Sequence, residues 1–260
     1  PLAFPPGDGN ELCSGNDGGV FRCDGWHRPG AAFMARNRGL ATLSGNSVDT
    51  HPREDALVLL ATQDNGAAFG QGTPGWRMVS QGDSGASVWH WGDALAGVPV
   101  RALITYTGYT IYRYSNGGTS YVDEVDVAAG GDGVGFYPPI VGAPLNAATP
   151  AQANRVVVGA RRLWLSDTFG GPSPSPSPPD TGDWASLPNN AVGDRLPPGQ
   201  LIMAICFLAY DRIVVGTSNG NCFLYERPAP AAAWIGPQPL ALAGTWPQAT
   251  PAAPPALPGE

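Results

Sequence analysis

Val156-Val157-Val158-Gly159-Ala160-Arg161-Arg162-Leu163-Trp164 is a short β-prone run that stops at a small-residue turn and restarts on an apolar, aromatic-ended stretch. The same pattern occurs four more times. Its copies are Leu12 to Arg22, Val58 to Phe69, Leu103 to Arg113 and Ile213 to Phe223, broken respectively at Gly15-Asn16-Asp17-Gly18, Asp64-Asn65-Gly66, Gly108 and Ser218-Asn219-Gly220. β-branched and aromatic residues favour a pleated, half-buried surface, whereas Gly, Asn and Asp supply the backbone angles of tight turns. Each copy therefore reads as a hairpin. Recurrence roughly every 45 to 60 residues is the period of four-stranded propeller blades.

Working outward from each hairpin completes a blade. An outer strand follows, at Phe33-Met34, Trp76 to Val79, Tyr121-Val122, Trp184 to Leu187 and Trp234-Ile235. An inner strand precedes it, at 47–50, 87–91, within 134–141 and at 201–208. The expected fold is all-β: a propeller of about five four-stranded blades, closed as five or forming part of a larger ring. The blades span roughly 12–40, 46–82, 87–127, 134–190 and 201–240, within a propeller domain covering 1–249. No inner strand is legible for the first blade, and Leu240 to Trp246 could supply it. Apolar residues nowhere follow a sustained 3.6-residue period, and 28 Pro with 36 Gly interrupt any candidate helix.

Composition narrows the function. The net charge is -7 and every one of the 14 basic residues is Arg, so a nucleic-acid partner, which needs a basic face, is not expected. No run of about 18 apolar residues predicts a membrane span. Pro1 to Pro6 shows no basic start followed by an apolar run, so no signal peptide is legible there; a removed leader and a longer precursor both stay open. Among the four cysteines, Cys13 and Cys23 flank the first turn on neighbouring strands, where a disulfide is expected. Cys206 and Cys222 should lie two strands apart as buried thiols. No Cys-x-x-Cys occurs and the three histidines are scattered, so neither zinc nor any other cofactor is expected.

The turns after the hairpins are more specific. Ser166-Asp167-Thr168-Phe169-Gly170-Gly171 with Trp184 beyond, and Ser115-Asn116-Gly117-Gly118-Thr119-Ser120-Tyr121, resemble degenerate Asp boxes, the hairpin of neuraminidase-repeat propellers. The stretch from Gly39-Leu40-Ala41-Thr42 through Thr62-Gln63-Asp64-Asn65-Gly66 and Trp76 to Gly82-Asp83-Ser84-Gly85 is similar to the sortilin and xyloglucanase-like branch of that group. The resemblance covers about residues 12 to 235. In that family the box is a structural turn whose Asp and Ser hold backbone donors, so it implies a fold more than an activity. The Pro/Ser run inserted at 171–183 resembles glycosylated modules of secreted wall proteins. That likeness implies an extracellular or cell-surface setting and O-linked sugar at Ser173, Ser175 and Ser177. Residues 250–260 form a Pro/Ala-rich tail.

Strand alternation sorts the loops into two faces. Turns within the hairpins and connections between blades share one face, which collects Asp64, Asp83, Arg161 and Arg162 together with Asp123, Glu124, Asp126 and Asp132. Asp64 and Asp83 form the best candidate pair for glycoside hydrolysis, which needs two carboxylates about 5 to 9.5 Å apart. The competing reading is two ordinary tight turns. Asp123, Glu124 and Asp126 with Asp132 could offer oxygen ligands to Ca²⁺, though without EF-hand spacing. Trp89 and Trp91, two apart, would share a strand face and could stack on a sugar. Trp76, Trp184 and Trp234 recur at blade positions expected of a core. Two functions follow: a propeller module that binds protein partners or glycans through one face within a larger assembly, or a polysaccharide hydrolase of the xyloglucanase type.

Overall fold

The structure is a computed structural model, and it describes residues 2–5, 8–16, 19–36, 38, 44–51, 54–96, 100–108, 110–115, 120–126, 132–144, 149–171, 183–187, 195–230 and 232–240. Among the described residues twenty strands form five four-stranded sheets, each paired in chain order as an antiparallel meander. The first contains β1 (Leu2–Ala3), β2 (Glu11–Asn16), β3 (Gly19–Asp24) and β4 (Met34–Ala35). The second contains β5 (Gly45–Thr50), β6 (Leu57–Thr62), β7 (Ala67–Gln71) and β8 (Trp76–Met78). β9 (Ser87–Trp89), β10 (Ala102–Thr105), β11 (Thr110–Ser115) and β12 (Ser120–Asp126) make the third. β13 (Ile140–Gly142), β14 (Val156–Gly159), β15 (Leu163–Ser166) and β16 (Ala185–Leu187) make the fourth, and β17 (Ile202–Ala209), β18 (Arg212–Thr217), β19 (Cys222–Glu226) and β20 (Ile235–Pro239) the fifth.

The strand sequences explain why the sheets stack face to face. β10 and β14 are buried along their whole length, and strands covered on both faces read as continuous apolar runs. The core lies in the seams. Leu59, Phe69 and Trp89 join Ala102, Ile104 and Tyr114 between the second and third sheets. Leu103 and Ile111 meet Ile140, Val156 and Val158 between the third and fourth. Val157, Leu163 and Leu165 meet Ile202, Val215 and Tyr225 between the fourth and fifth. Two short helices interrupt the β pattern: α1 (Trp91–Ala96) and a 3-10 turn at Pro150–Asn154, the latter started by Pro150, whose fixed φ suits a first helical position.

Several expectations change. The missing inner strand of the first blade is β1, because Leu2 and Ala3 pair with Ser14 and Cys13; residues 241–246 lie outside the described residues. The acidic run Asp123 to Asp126 belongs to strand β12 rather than to a loop, with Asp123 in register with Arg113 and Glu124 with Tyr112. Trp76 is exposed rather than in the core. Its ring lies over Gly70, where an added Cβ would come within 3.2 Å of it.

The expected disulfide is absent, and register explains it. Leu12 pairs with Cys23 while Cys13 pairs with Arg22. Since a shift of one residue moves a side chain to the other face, the two sulfurs point to opposite sides of the sheet. All four cysteines are free thiols, and Cys206 is exposed rather than buried. β18 does separate it from Cys222. Cys206 pairs with Val214 and Cys222 with Gly216, so both occupy the face turned away from Ile213 and Val215, which fill the seam with the fourth sheet.

Candidate functional site

The hairpin turn of the second sheet and the connection to the third sheet meet at one loop face. Thr62 donates its N–H to Gly66 O at 3.0 Å, closing a turn in which Asp64 and Gly66 adopt positive φ, 61° and 73°. Only glycine suits the second position, since a Cβ there would collide with the Ser80 carbonyl. The connecting loop is laced to both blades. Ser84 N donates to Thr62 O at 2.9 Å and Gly85 N to Thr105 O at 2.8 Å. Gly85 sits where a Cβ would meet Tyr137 Cβ at 2.8 Å and Thr105 Oγ1 at 2.9 Å.

This lacing brings Asp64 and Asp83 together, as their loop positions predicted. Their relation is specific: Asp64 donates its backbone N–H to Asp83 Oδ1 at 2.8 Å. A carboxylate holding a backbone donor in this way is a turn brace. Asp64 is exposed and Asp83 half-buried. Beside them, Tyr137 has a hydroxyl shielded from solvent, lying near Asn46 and Asp83 without a well-aligned hydrogen bond to either. Burial pushes this phenol upward, the carboxylates of Asp83 and Asp64 add to the shift, and Asn46 opposes it. Phe136, 63% exposed, packs edge-on against Tyr137 with centroids 4.8 Å apart, and Tyr106 stacks at a tilt on Tyr112 at 5.4 Å. Sequence reading missed this aromatic surround, because Phe136 and Tyr137 come from a loop with no strand periodicity.

The other candidates scatter. Arg161 and Arg162 occupy the turn between β14 and β15 rather than a strand. Arg161 donates from Nε to Leu196 O at 3.2 Å. Arg162 lies 3.6 Å from the buried Asp132, which also faces Arg195 at 3.4 Å and accepts the Trp164 indole N–H at 3.3 Å. Both arginines therefore brace loops. Trp89 is 2% and Trp91 4% exposed. Trp89 packs edge-on against Phe69, whereas Trp91 opens α1 rather than continuing β9 and donates to Ala143 O at 3.1 Å. Neither presents an open ring face. Ser173, Ser175 and Ser177 lie outside the described residues.

The opposite loop face holds buried charge that sequence reading did not single out. Asp93 Oδ1 lies 2.7 Å from His90 Nδ1, and its carboxylate accepts two bonds from the Arg101 guanidinium. His90 Nε2 lies 2.8 Å from Asn154 Oδ1, tying the third sheet to the fourth. Burial alone would raise the Asp93 carboxyl, but the bonds from His90 and Arg101 outweigh it and hold it at about 2. One seam further on, Arg155 is 1% exposed. It donates from Nε to Asp167 Oδ1 at 2.6 Å and from Nη1 to Tyr210 O at 2.8 Å, reaches Asp211 Oδ1 at 3.1 Å, and lies over the Tyr210 ring at 3.7 Å. In the nearby turn Ser166 Oγ accepts from Thr168 N at 3.2 Å and Gly170 N at 2.9 Å. Asp167 turns to Arg155 instead of capping that turn.

No protein-family model matches the chain, and no curated protein does. Among solved structures, the chain is similar to a crystal structure of an ancestral GH74 enzyme, with a TM-score of 0.50 and 13% identity over 92% of this chain and 30% of the other. The chain thus spans about a third of that neighbour's length. At this identity the likeness concerns the fold, and together with the five meander sheets it supports a β-propeller.

Proposed function

We propose that this chain is a propeller-type binding module of a larger extracellular or cell-surface assembly, and that it engages a protein or glycan partner through the loop face carrying Asp64, Asp83, Phe136 and Tyr137. The observation that carries this reading is the 2.8 Å bond from Asp64 N–H to Asp83 Oδ1. A carboxylate committed to a backbone donor serves poorly as a general acid or nucleophile, whereas an aromatic and carboxylate surface serves well for recognition. We read the scaffold as a divergent Asp-box propeller, with Ser166 still bracing its turn and Asp167 redirected to Arg155. The test is incubation with a panel of β-glucans, with new reducing ends and retention on immobilised glycan measured in parallel. Retention lost in Tyr137→Ala without turnover is the expected result for a glycan partner, and retention of a protein partner instead would fit the same face. Turnover abolished by Asp64→Ala would overturn the non-catalytic assignment.

A second reading, glycoside hydrolysis, is favoured by the adjacency of Asp64 and Asp83 and by the GH74 enzyme among similar folds. It requires the two carboxylates to flank a bond rather than support one another. Reducing-end release decides between the two readings.

A further inference from the structure

At the other end of the inner strands, away from the Asp64 turn, β5, β9 and β13 border an open pocket of about 450 Å³ lined by Asp49, Ser87, Val88, Trp89, Ile140 and Val141, among others. Asp49 projects from the second sheet to the edge of the third, where its Oδ2 accepts the Trp89 backbone N–H at 2.9 Å. The Trp89 indole N–H returns a bond to Asp49 O at 3.2 Å. Capping one edge donor needs only a neutral acceptor, and a carboxylate in a sheltered place is an expensive choice for that task. Among the described residues no charged side chain contributes to the ionisation of Asp49, which burial raises to about 6 against the opposing effect of the Trp89 bond. Beside it, Ser87 is 8% exposed, and its Oγ has no hydrogen-bond partner among the described residues. A buried hydroxyl without a partner costs free energy that an apolar residue would avoid. Val88, Ile140 and Val141 supply the aliphatic part of the wall, which Thr50, Trp91, Gly142 and Ala143 complete.

We propose that this inner-strand pocket is a binding site for a small organic ammonium ion with an apolar stem, its N–H donors reaching the Asp49 carboxylate and Ser87 Oγ and its stem lying on Val88, Ile140 and Val141. An uncompensated carboxylate selects a cation, and the net charge of -7 raises the local concentration of one. The aliphatic wall selects an organic cation over a bare one. A divalent metal ion wants six or more oxygen ligands, and no group of three or more His, Cys, Asp or Glu side chains is placed to hold one among the described residues. The site stands apart from the proposed recognition face, so either can fail alone.

The test is titration of the full chain with n-butylammonium, followed through the backbone amide resonances of Ser87 and Trp89, with 1-butanol and sodium chloride as parallel probes. Saturable shifts are expected with butylammonium alone. Asp49→Asn should weaken the affinity at least tenfold, and Ser87→Ala several-fold. Equal affinity for butanol would reduce the pocket to an apolar void, and equal shifts with sodium would make it an inorganic ion site; either result overturns the proposal, as does the lack of saturable shifts. Should Asp49→Asn fail to fold, the side-chain carboxyl resonance of Asp49 in the unmodified chain decides. At pH 6 butylammonium must drive it toward the ionised form, and an unmoved resonance overturns the assignment.

Discussion

The Asp64 corner of the first loop face and the opposite loop face hold their blades together by different means. Where the second sheet meets the third at the Asp64 turn, the joints are backbone bonds and one carboxylate near water: Asp83 on Asp64 N–H, Ser84 on Thr62, Gly85 on Thr105. Where the third, fourth and fifth sheets meet at the other end, the joints are charged groups with at least one buried member: buried Arg155 with the more exposed Asp167 and Asp211, and buried His90 and Asp93 with the part-exposed Arg101. A solvent-screened brace can be removed at small cost, whereas removing one member of a desolvated pair strands its partners. The Asp64 corner is therefore the part of the first face free to vary its loops, and the frame is the second face together with buried Asp132, held between Arg162 and Arg195, on the first.

The sharpest way to break this comparison is Arg155→Ala. It deletes a side chain that is 1% exposed, leaves Tyr210 O without its donor and leaves Asp167 without its Arg155 partner. The expected loss is about 3–5 kcal/mol in urea unfolding. A loss below about 1 kcal/mol would mean that the pair is worth no more than a surface contact.

The pH dependence sharpens the comparison further, because Asp49 and Asp93 carry opposite signs. Asp49 has a folded pKa of about 6, above the ordinary carboxylate value of 3.8. Its contribution is fully present below about 3.8 and is lost as pH rises through 6. Asp93 sits at about 2, below the same ordinary value; its contribution is present above about 3.8 and is lost as pH falls through 2. Together they give a stability maximum near pH 4. Asn at position 49 retains an acceptor for Trp89 N–H and removes the alkaline arm, so Asp49→Asn should gain about 2 kcal/mol at pH 7 and little at pH 4. Thermal unfolding of both proteins at the two pH values checks this.

The framework was legible because hairpins are written locally: alternating or continuous β-prone runs, a turn, then an aromatic restart. Four inner strands and all five outer strands fall within a few residues of where that pattern puts them. β1 was invisible because two residues, Leu2 and Ala3, carry no period. The disulfide reading failed because proximity in sequence does not fix parity across a ladder; only the register Leu12 to Cys23 does. At the candidate site, Asp64 and Asp83 were legible as neighbours, since strand alternation assigns loops to faces. Their mutual bond, the loop aromatics and Arg155 were not, because each depends on long-range approach: Asn46 to Ser84, Gly85 to Tyr137, Arg155 to Tyr210.

A smaller effect tests the loop face. Asp64 pays for its positive φ of 61°, a conformation costing a non-glycine residue roughly 1 kcal/mol, and what its backbone contributes, the N–H to Asp83, does not need the side chain. Asp64→Gly should leave stability unchanged or raise it by up to about 1 kcal/mol, read by urea unfolding. A loss above about 2 kcal/mol would show that the Asp64 carboxylate is itself structural, and the contrast between the faces would narrow.

The smallest expected effect concerns the thiols. A bridge closing the short loop between Cys13 and Cys23 would contribute about 2–3 kcal/mol, yet the register turns the two side chains to opposite faces of β2 and β3. Reducing agent should therefore leave the unfolding midpoint of the purified protein unchanged. Thiol titration of the folded chain should label the exposed Cys206 fastest and the buried Cys23 slowest. A drop in the midpoint on reduction would require β2 and β3 to pair one residue out of the register described, which would turn one of the two strands over and part Leu12 from Phe21, now on the same face.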